Sequence, residues 1–207
     1  MSHRFSKQNA QLAFSLLLSI MASLVISSRA VAIELGNKGD TLFLSGSIKQ
    51  GDQFLFRDFL SANSIIKYVD LNTGGGHIEA AGQIGRQIRD KKLHTIVDGS
   101  RSKCGSSCTI IFSAGVLRFY VNGAGIKDGV GEMRNGRGLG YHEGDKLLAN
   151  GKRGQSGAAT GEVISWYYEF GSKEARSLIT RSDWKHFYYV SPETAISLGL
   201  ATGTKRP

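Results

Sequence analysis

Strand-like and helix-like segments alternate between residues 41 and 115, and this alternation restricts the possible fold more than any other feature of the chain. Apolar and β-branched residues are dense at 41–48, 65–71 and 94–97, as is typical of buried strands. Apolar residues recur at helical spacing in 54–60 and 78–92, and 108–114 is apolar enough for a buried helix. Strands and helices that alternate in this way form right-handed βαβ units. We therefore predict an α/β fold with a largely parallel sheet.

The first 32 residues have the layout of a secretory signal peptide. Arg4 and Lys7 give a basic start, residues 12–26 form an apolar run, and Ala30-Val31-Ala32 offers small residues for cleavage. We expect cleavage near Ala32 and a periplasmic or secreted mature chain; an uncleaved N-terminal anchor is the alternative. The remaining range, 33–207, is long enough for one domain with its own core.

The charge pattern argues against nucleic acid as a partner. Removal of the signal peptide takes away three cations, Arg4, Lys7 and Arg29, and no acid, so the formal net charge falls from +9 to +6. The other basic residues are scattered and are not interleaved with aromatic ones, which is typical of a solvated surface. The sequence shows no set of residues with metal-ligand spacing, so we predict neither a metal nor a cofactor.

Two cysteines, Cys104 and Cys108, bracket a pair of serines. An even number of cysteines in an oxidising compartment favours a disulfide, which here would join the entry of a turn to the first turn of the next helix. Two reduced, buried cysteines are the alternative.

The bracketed serines and an upstream glycine loop could form a hydrolase site. The strand at 65–71 runs into Gly74-Gly75-Gly76, and a second strand ends at the serine turn. Parallel strands present their carboxyl ends at one sheet edge, so backbone N–H groups of the glycine loop and a serine hydroxyl could meet there. A serine at this position is also the usual N-cap of a helix, and the residues alone leave both readings open.

The second half of the chain is less regular. Residues 122–159 contain 11 glycines in 38 residues, which indicates a long loop-like insertion around His142. Helical spacing returns over 162–180 with a bulky aromatic face, and 187–190 reads as a short strand. Ser191-Pro192-Glu193 is expected to cap a final helix, and 202–207 to form a loose basic tail.

Several segments together resemble the Clp-protease/crotonase superfamily, and most of all the secreted or periplasmic relatives of the Clp protease proteolytic subunit. The likeness covers roughly residues 41–201. Its segments are Val69 to Gly76, Gly82, Ile88-Arg89, Cys104 to Cys108, Phe112 to Gly115, Val190 to Ala195 and Leu198 to Ala201. The resemblance implies a spiral of βαβ units, self-association and a peptide or protein substrate. The family's ATP-driven partners are cytoplasmic, so no ATPase partner is expected outside that compartment.

The resemblance also assigns site residues. The family's nucleophile falls on Ser106, with Ser107 as the second candidate, and its base falls on His142 in Gly140-Tyr141-His142-Glu143. Oxyanion donors fall on the backbone of Gly75, with Gly76 close behind, and of Ser107. A histidine suits the base because its pKa lies near neutrality.

The acid of a Ser–His–Asp triad is less well defined. The family's aspartate register falls on His186 or Phe187, and Asp183 is the nearest carboxylate. Glu143 and Asp145, or a backbone carbonyl that orients the histidine, are the other possibilities. A Ser–Lys pair is a further scheme in this superfamily, but no motif marks a lysine, and Lys103 is expected on a surface loop.

Taken together, the sequence favours a secreted or periplasmic peptidase-like serine hydrolase. A binding or scaffold protein that keeps the fold after losing its acid is the main alternative. Crotonase-type thioester chemistry is disfavoured because coenzyme A is intracellular.

Overall fold

The structure, a computed structural model, describes residues 32–206, so the predicted signal peptide (1–32) lies outside it except for Ala32. The eleven strands of this described range are β1 Glu34–Lys38, β2 Thr41–Ser45, β3 Tyr68–Asn72, β4 His94–Asp98, β5 Lys103–Gly105, β6 Arg118–Val121, β7 Gly129–Glu132, β8 Gly138–Tyr141, β9 Asp145–Leu147, β10 Arg153–Gln155 and β11 His186–Val190. Its α-helices are α1 Asp52–Ala62, α2 Ile78–Asp90, α3 Ser107–Ala114, α4 Gly157–Glu169, α5 Arg176–Ile179 and α6 Pro192–Ser197.

A five-stranded sheet in the order β1-β2-β3-β4-β6 forms one layer. Strands β2, β3, β4 and β6 are parallel, and α1 and α2 connect the first three of them. The edge strand β1 pairs antiparallel with β2. The predicted α/β architecture is therefore confirmed, while β1 was missed because Glu34–Lys38 is mostly exposed and lacks an apolar pattern.

A second, four-stranded sheet has the order β5-β8-β11-β7. Its β5 and β8 are parallel, whereas β11 pairs antiparallel with both β8 and β7. A parallel bridge between Thr73 and Cys104 joins the end of β3 to β5. The strand that precedes the glycine loop and the strand that precedes the serine turn thus belong to two sheets that meet at this point.

Helix α3 lies at the centre of the molecule. All eight of its residues are buried, as predicted from its apolar composition. Its neighbour α2 packs closely against α4. The Trp166 ring of α4 lies so near Gly82 of α2 that a Cβ at Gly82 would overlap it. Among the described residues, 32–206, no helix combines the length and the apolarity needed to cross a bilayer.

The glycine-rich range 122–159 forms β7 to β10 rather than one long loop. Glycine is needed at several of these positions because aromatic rings pack directly on the backbone. A Cβ at Gly138 would overlap the Tyr120 hydroxyl, and one at Gly140 would lie 2.8 Å from the Phe187 ring. The glycines therefore make room for side chains that come from distant parts of the chain.

Two further segments differ from expectation. The helix predicted over 162–180 begins earlier, at Gly157, and is interrupted after Glu169. Gly171, with φ of +72°, ends it, and a 3₁₀ turn then leads to α5. The basic tail is docked: the N–H of Tyr120 donates to the Gly203 carbonyl at 3.0 Å, and Arg206 pairs with Asp40 at 2.8 Å. These contacts hold the tail against the free edge of β6.

Candidate active site

Three strand ends bring the predicted site residues together. Strand β3 leads into the glycine loop, β5 into Ser106 and β8 into His142. Strands β5 and β8 run side by side in parallel, and the Ser106 N–H donates to the Gly140 carbonyl at 3.0 Å. Because parallel strands end at the same edge, the serine and the histidine leave their strands as neighbours.

Ser106 occupies the N-cap position of α3 but does not act as a cap. Its backbone has φ of +54° and ψ of −131°, and its side chain makes no capping hydrogen bond. A normal N-cap serine has extended backbone angles and accepts from an N–H of the first turn. A non-glycine residue in the observed conformation costs about 1–3 kcal/mol, and such strain is concentrated at functional sites. The structure therefore disfavours the reading of Ser106 as an ordinary helix cap.

The predicted disulfide between Cys104 and Cys108 is present. Both cysteines are fully buried, one in β5 and the other in the first turn of α3. The bond spans the turn that holds Ser106, and the Ser106 carbonyl accepts from the N–H of Thr109 at 2.9 Å. These contacts help hold the turn in its strained conformation.

The glycine loop lies directly against the serine turn. A Cβ at Gly75, where φ is +94°, would lie 2.7 Å from the Ser106 Cβ and 2.9 Å from the Ser107 nitrogen. The N–H of Gly75 donates to Thr73 Oγ1 at 3.1 Å, and that of Gly76 donates to Ser107 Oγ at 2.8 Å. Ser107 begins α3, and the first N–H groups of a helix have no acceptor within it. The two predicted oxyanion donors, Gly75 and Ser107, are thus adjacent.

His142 follows β8 and is buried, with only 7% of its surface exposed. Its ring lies 5.0 Å from that of Phe187 between centroids. The Nδ1 atom of the ring is buried without a hydrogen-bond partner among the described residues. Burial lowers the pKa of His142 below its usual value, and the Asp145 charge, the Trp184 backbone and the Asp183 charge partly oppose this. The histidine is therefore held in the neutral form that a general base requires.

The carboxylate of Asp183 acts on the His142 ring through its charge but makes no hydrogen bond with it. Its Oδ1 accepts from the N–H of Lys185 at 2.9 Å and from that of His186 at 3.0 Å, and it lies 2.8 Å from His186 Nδ1. Asp183 forms a local turn because its own neighbours in sequence supply these donors. The triad role that the resemblance implies for Asp183 has no hydrogen bond to support it.

The two carboxylates beside the histidine are also engaged elsewhere. Glu143 accepts from Gln155 at 2.5 Å, and Asp145 forms an ion pair with Arg153. The predicted alternative of a backbone carbonyl has no hydrogen bond to support it either, because His142 Nδ1 is buried without a partner among the described residues.

A cavity of about 450 Å³ joins these parts. The glycine loop, Ser106 and His142 line it. Its apolar walls come from several elements, namely Ile78, Met133, Val163, Tyr167, Trp184 and Phe187, and charged groups of Asp145, Arg153 and Lys185 also line it. Met133 and Arg153 from the glycine-rich range, and Trp184 and Lys185 from the loop before β11, thus contribute to the site, although no motif marked them.

Other polar side chains near the site have structural contacts. His77 caps α2 by accepting from the N–H of Ala80 at 3.2 Å. The ammonium of Lys103 donates to the Met133 carbonyl at 3.0 Å and is only partly buried. No group of three or more metal-ligating side chains occurs within residues 32–206.

Comparison with known proteins identifies the fold. No protein-family model matches the chain, and no curated protein matches it in sequence. A membrane-bound stomatin-specific protease, solved as a mutant, superposes with a TM-score of 0.56 at 16% identity and covers 80% of this chain and 78% of its own. Another mutant of that protease, in complex with a substrate peptide, gives a TM-score of 0.54 at 17% identity over 80% of this chain and 74% of its own. ClpP1 from Listeria monocytogenes, also a mutant, gives 0.51 at 17% identity over 82% of this chain and 92% of its own.

The chain therefore has a Clp-protease-like fold. At these identities, the likeness extends to the fold alone. The roles of individual residues depend on the geometry described above.

Proposed function

We propose that the mature chain is a serine hydrolase of the peptidase type, with Ser106 as nucleophile and His142 as base. One observation carries the proposal: Ser106 stands at a helix N-cap in a strained conformation, without capping, on a cavity that it shares with His142 and the glycine loop. An N-cap serine with only a structural role would use its hydroxyl on the helix.

The reaction follows from these positions. Neutral His142 takes the hydroxyl proton of Ser106, and the oxygen attacks a substrate carbonyl carbon. Backbone N–H groups of Gly75 and Ser107 stabilise the oxyanion, the Gly75 N–H turning from Thr73 to do so. Protonated His142 then gives its proton to the leaving amine, which leaves an acyl-enzyme. A water molecule, deprotonated by His142, releases the acid and restores the serine.

No group takes the place of the triad acid in the structure as it stands, because His142 Nδ1 has no hydrogen-bond partner among the described residues. The Trp184 backbone raises the pKa of His142, and we propose that its carbonyl accepts a hydrogen bond from the ring once the ring is protonated. A neutral carbonyl stabilises that ring less than a carboxylate does, so we expect slower turnover than a complete triad gives.

The substrate is proposed to be a peptide or protein, since the cavity walls are mainly apolar and the cavity is open to the surface. The chain is proposed to act in the periplasm or outside the cell after cleavage near Ala32, and to form a homo-oligomer. Metal ions, cofactors, nucleic acid and an ATPase partner have no part in this proposal.

Labelling of the purified mature chain with a fluorophosphonate probe tests the function. We expect the wild type to be labelled at Ser106 and the Ser106→Ala and His142→Ala variants to lose the label. Asp183→Asn should keep it, because its carboxylate contacts His186 instead. Ser113→Ala is the control, since this serine is buried in α3 and its hydroxyl bonds only within that helix.

The absence of any label on the folded wild type, under oxidising and reducing conditions alike, would refute the hydrolase. The alternative would then be a catalytically weak or inactive binding or scaffold protein. One observation favours that alternative: the Gly75 and Gly76 N–H groups already have side-chain acceptors. Fluorophosphonate labelling separates the two functions because it requires an activated serine and no knowledge of the substrate.

A further inference from the structure

The hydroxyl of Ser107 has no part in the proposed reaction, yet it is fully buried and hydrogen-bonded. It accepts from the N–H of Gly76 at 2.8 Å, a contact between residues 31 positions apart in the chain. Ser107 is the first residue of α3, the helix whose N-cap is Ser106. This hydrogen bond therefore links the glycine loop to the helix that follows the nucleophile.

The opposite side of the glycine loop is held by backbone contacts. The Gly75 carbonyl accepts from the N–H of Ile48 at 3.1 Å, and the Ile48 carbonyl accepts from the N–H of His77 at 3.0 Å. A Cβ at Gly76 would overlap the Ile48 carbonyl, so the loop has no room to move toward that segment. The contact with Ser107 controls the spacing in the other direction, toward α3.

This spacing matters because the two oxyanion donors are on separate elements. Gly75 belongs to the loop, and the Ser107 N–H belongs to the helix. Both donors must lie about 2.7–3.1 Å from the developing oxyanion to stabilise it. A loop that drifts from α3 by a fraction of an ångström would lose one of the two hydrogen bonds.

We propose that the Ser107 hydroxyl is a positioning group, which fixes the glycine loop against α3 and thereby sets the geometry of the oxyanion hole. The inference rests on the proposed function of the same site. It gives Ser107 two separate tasks: its N–H donates to the oxyanion, and its Oγ holds the second donor in place. It also excludes Ser107 as the nucleophile, since its hydroxyl lies in the interior and is already engaged.

The Ser107→Ala variant tests this role, with Ser113→Ala as matched control. Both serines are buried in α3, but the Ser113 hydroxyl donates to the Thr109 carbonyl at 2.8 Å and has no contact with the loop. We expect Ser107→Ala to slow fluorophosphonate labelling of Ser106 about 10- to 100-fold, less than the loss of a donor would. With p-nitrophenyl acetate, kcat should fall while KM stays within about twofold, since only the transition state uses the oxyanion hole.

Amide hydrogen exchange gives a readout that needs no activity. Exchange at the Gly76 N–H should be about 10-fold or more faster in Ser107→Ala and unchanged in Ser113→Ala, because only the first variant removes its acceptor. Unchanged Gly76 exchange, a wild-type labelling rate in Ser107→Ala, or an equal loss in both variants would overturn the proposal. Label found on Ser107 would overturn it too. An unlabelled wild type would refute the hydrolase instead, while faster Gly76 exchange in Ser107→Ala would still support the loop contact.

Discussion

Replacement of Gly75 by alanine should disable the site. The new methyl group would lie 2.7 Å from both the Gly105 carbonyl oxygen and the Ser106 Cβ, and 2.9 Å from the Ser107 nitrogen. Ordinary contacts of carbon are about 3.5–4.0 Å, so the loop must move away from the turn by roughly 1 Å. The backbone at Gly75, with φ of +94°, is also one that alanine rarely adopts.

The cost of this substitution can be worked from these two effects. The backbone conformation costs about 1–3 kcal/mol for a non-glycine residue, and overpacking of this kind about 1–3 kcal/mol. We therefore expect the free energy of unfolding to fall by roughly 2–6 kcal/mol, less if the loop moves to relieve the contacts. A 1 Å displacement of the Gly75 N–H should slow fluorophosphonate labelling by about 100-fold.

Gly74→Ala is the matched control at the preceding residue. Its Cβ would meet the end of the Lys103 side chain, at 3.3 Å from Cε and 3.5 Å from Nζ, and this flexible chain can move. We expect its free energy of unfolding to stay within about 0.5 kcal/mol of the wild type and its labelling rate to be unchanged. Labelling rates and urea unfolding curves measure the two effects. If Gly75→Ala labels as fast as the wild type in folded form, the Gly75 N–H is not an oxyanion donor.

Three further predictions concern other parts of the molecule. Fluorophosphonate labelling should persist as pH falls through 6.5 and be lost only below it, because burial lowers the pKa of His142 and the neutral ring is the active form. A labelling rate that falls to half its maximum above pH 6.5 would contradict this. Replacing Cys104 and Cys108 together with alanine should lower the free energy of unfolding by about 2 kcal/mol relative to the wild type, as measured by urea unfolding, and equal stabilities of the two proteins would contradict this. Gly161→Ala, on the open face of α4, should raise Tm by roughly 1–4 °C, whereas Gly82→Ala should lower it because the Trp166 ring occupies the space; a rise in both would contradict the packing of α2 on α4.

The first half of the fold was predictable because its periodicity is local. The apolar runs at 41–48, 65–71 and 94–97 mark strands, and the helical spacing from Ile78 marks α2. The Ser191 cap of α6 is likewise a local signal, and it is present as predicted. These elements are encoded by neighbours in sequence, so the sequence alone reveals them.

The strands within 122–159 depend instead on distant partners. Gly138 and Gly140 look like loop residues, yet they are glycines because Tyr120 and Phe187 pack on the backbone there. A sequence pattern cannot report a ring that arrives from another part of the chain. The docking of residues 202–206 was unpredictable for the same reason, since it depends on the free edge of β6, which lies far away in the sequence.

Within the site, residue types were predictable and hydrogen-bond partners were not. The positions of Ser106 and His142 on one cavity follow from strand topology, and their catalytic roles stay predictions. The register that suggested Asp183 could not show that His186, three residues on, would take its carboxylate. The lack of a partner for His142 Nδ1 was also invisible, since a motif does not show which groups surround a ring.

The buried Cys104–Cys108 bond makes the opening of this site measurable. Reduction requires a thiolate or phosphine to reach a sulfur atom, and both cysteines are fully buried. A reductant can therefore react only while the serine turn is transiently exposed. In excess reductant, the rate at which free thiols appear would report how often the turn opens in the native protein. Comparison of that rate with the rate of global unfolding would show whether the site opens by itself or only when the whole domain unfolds.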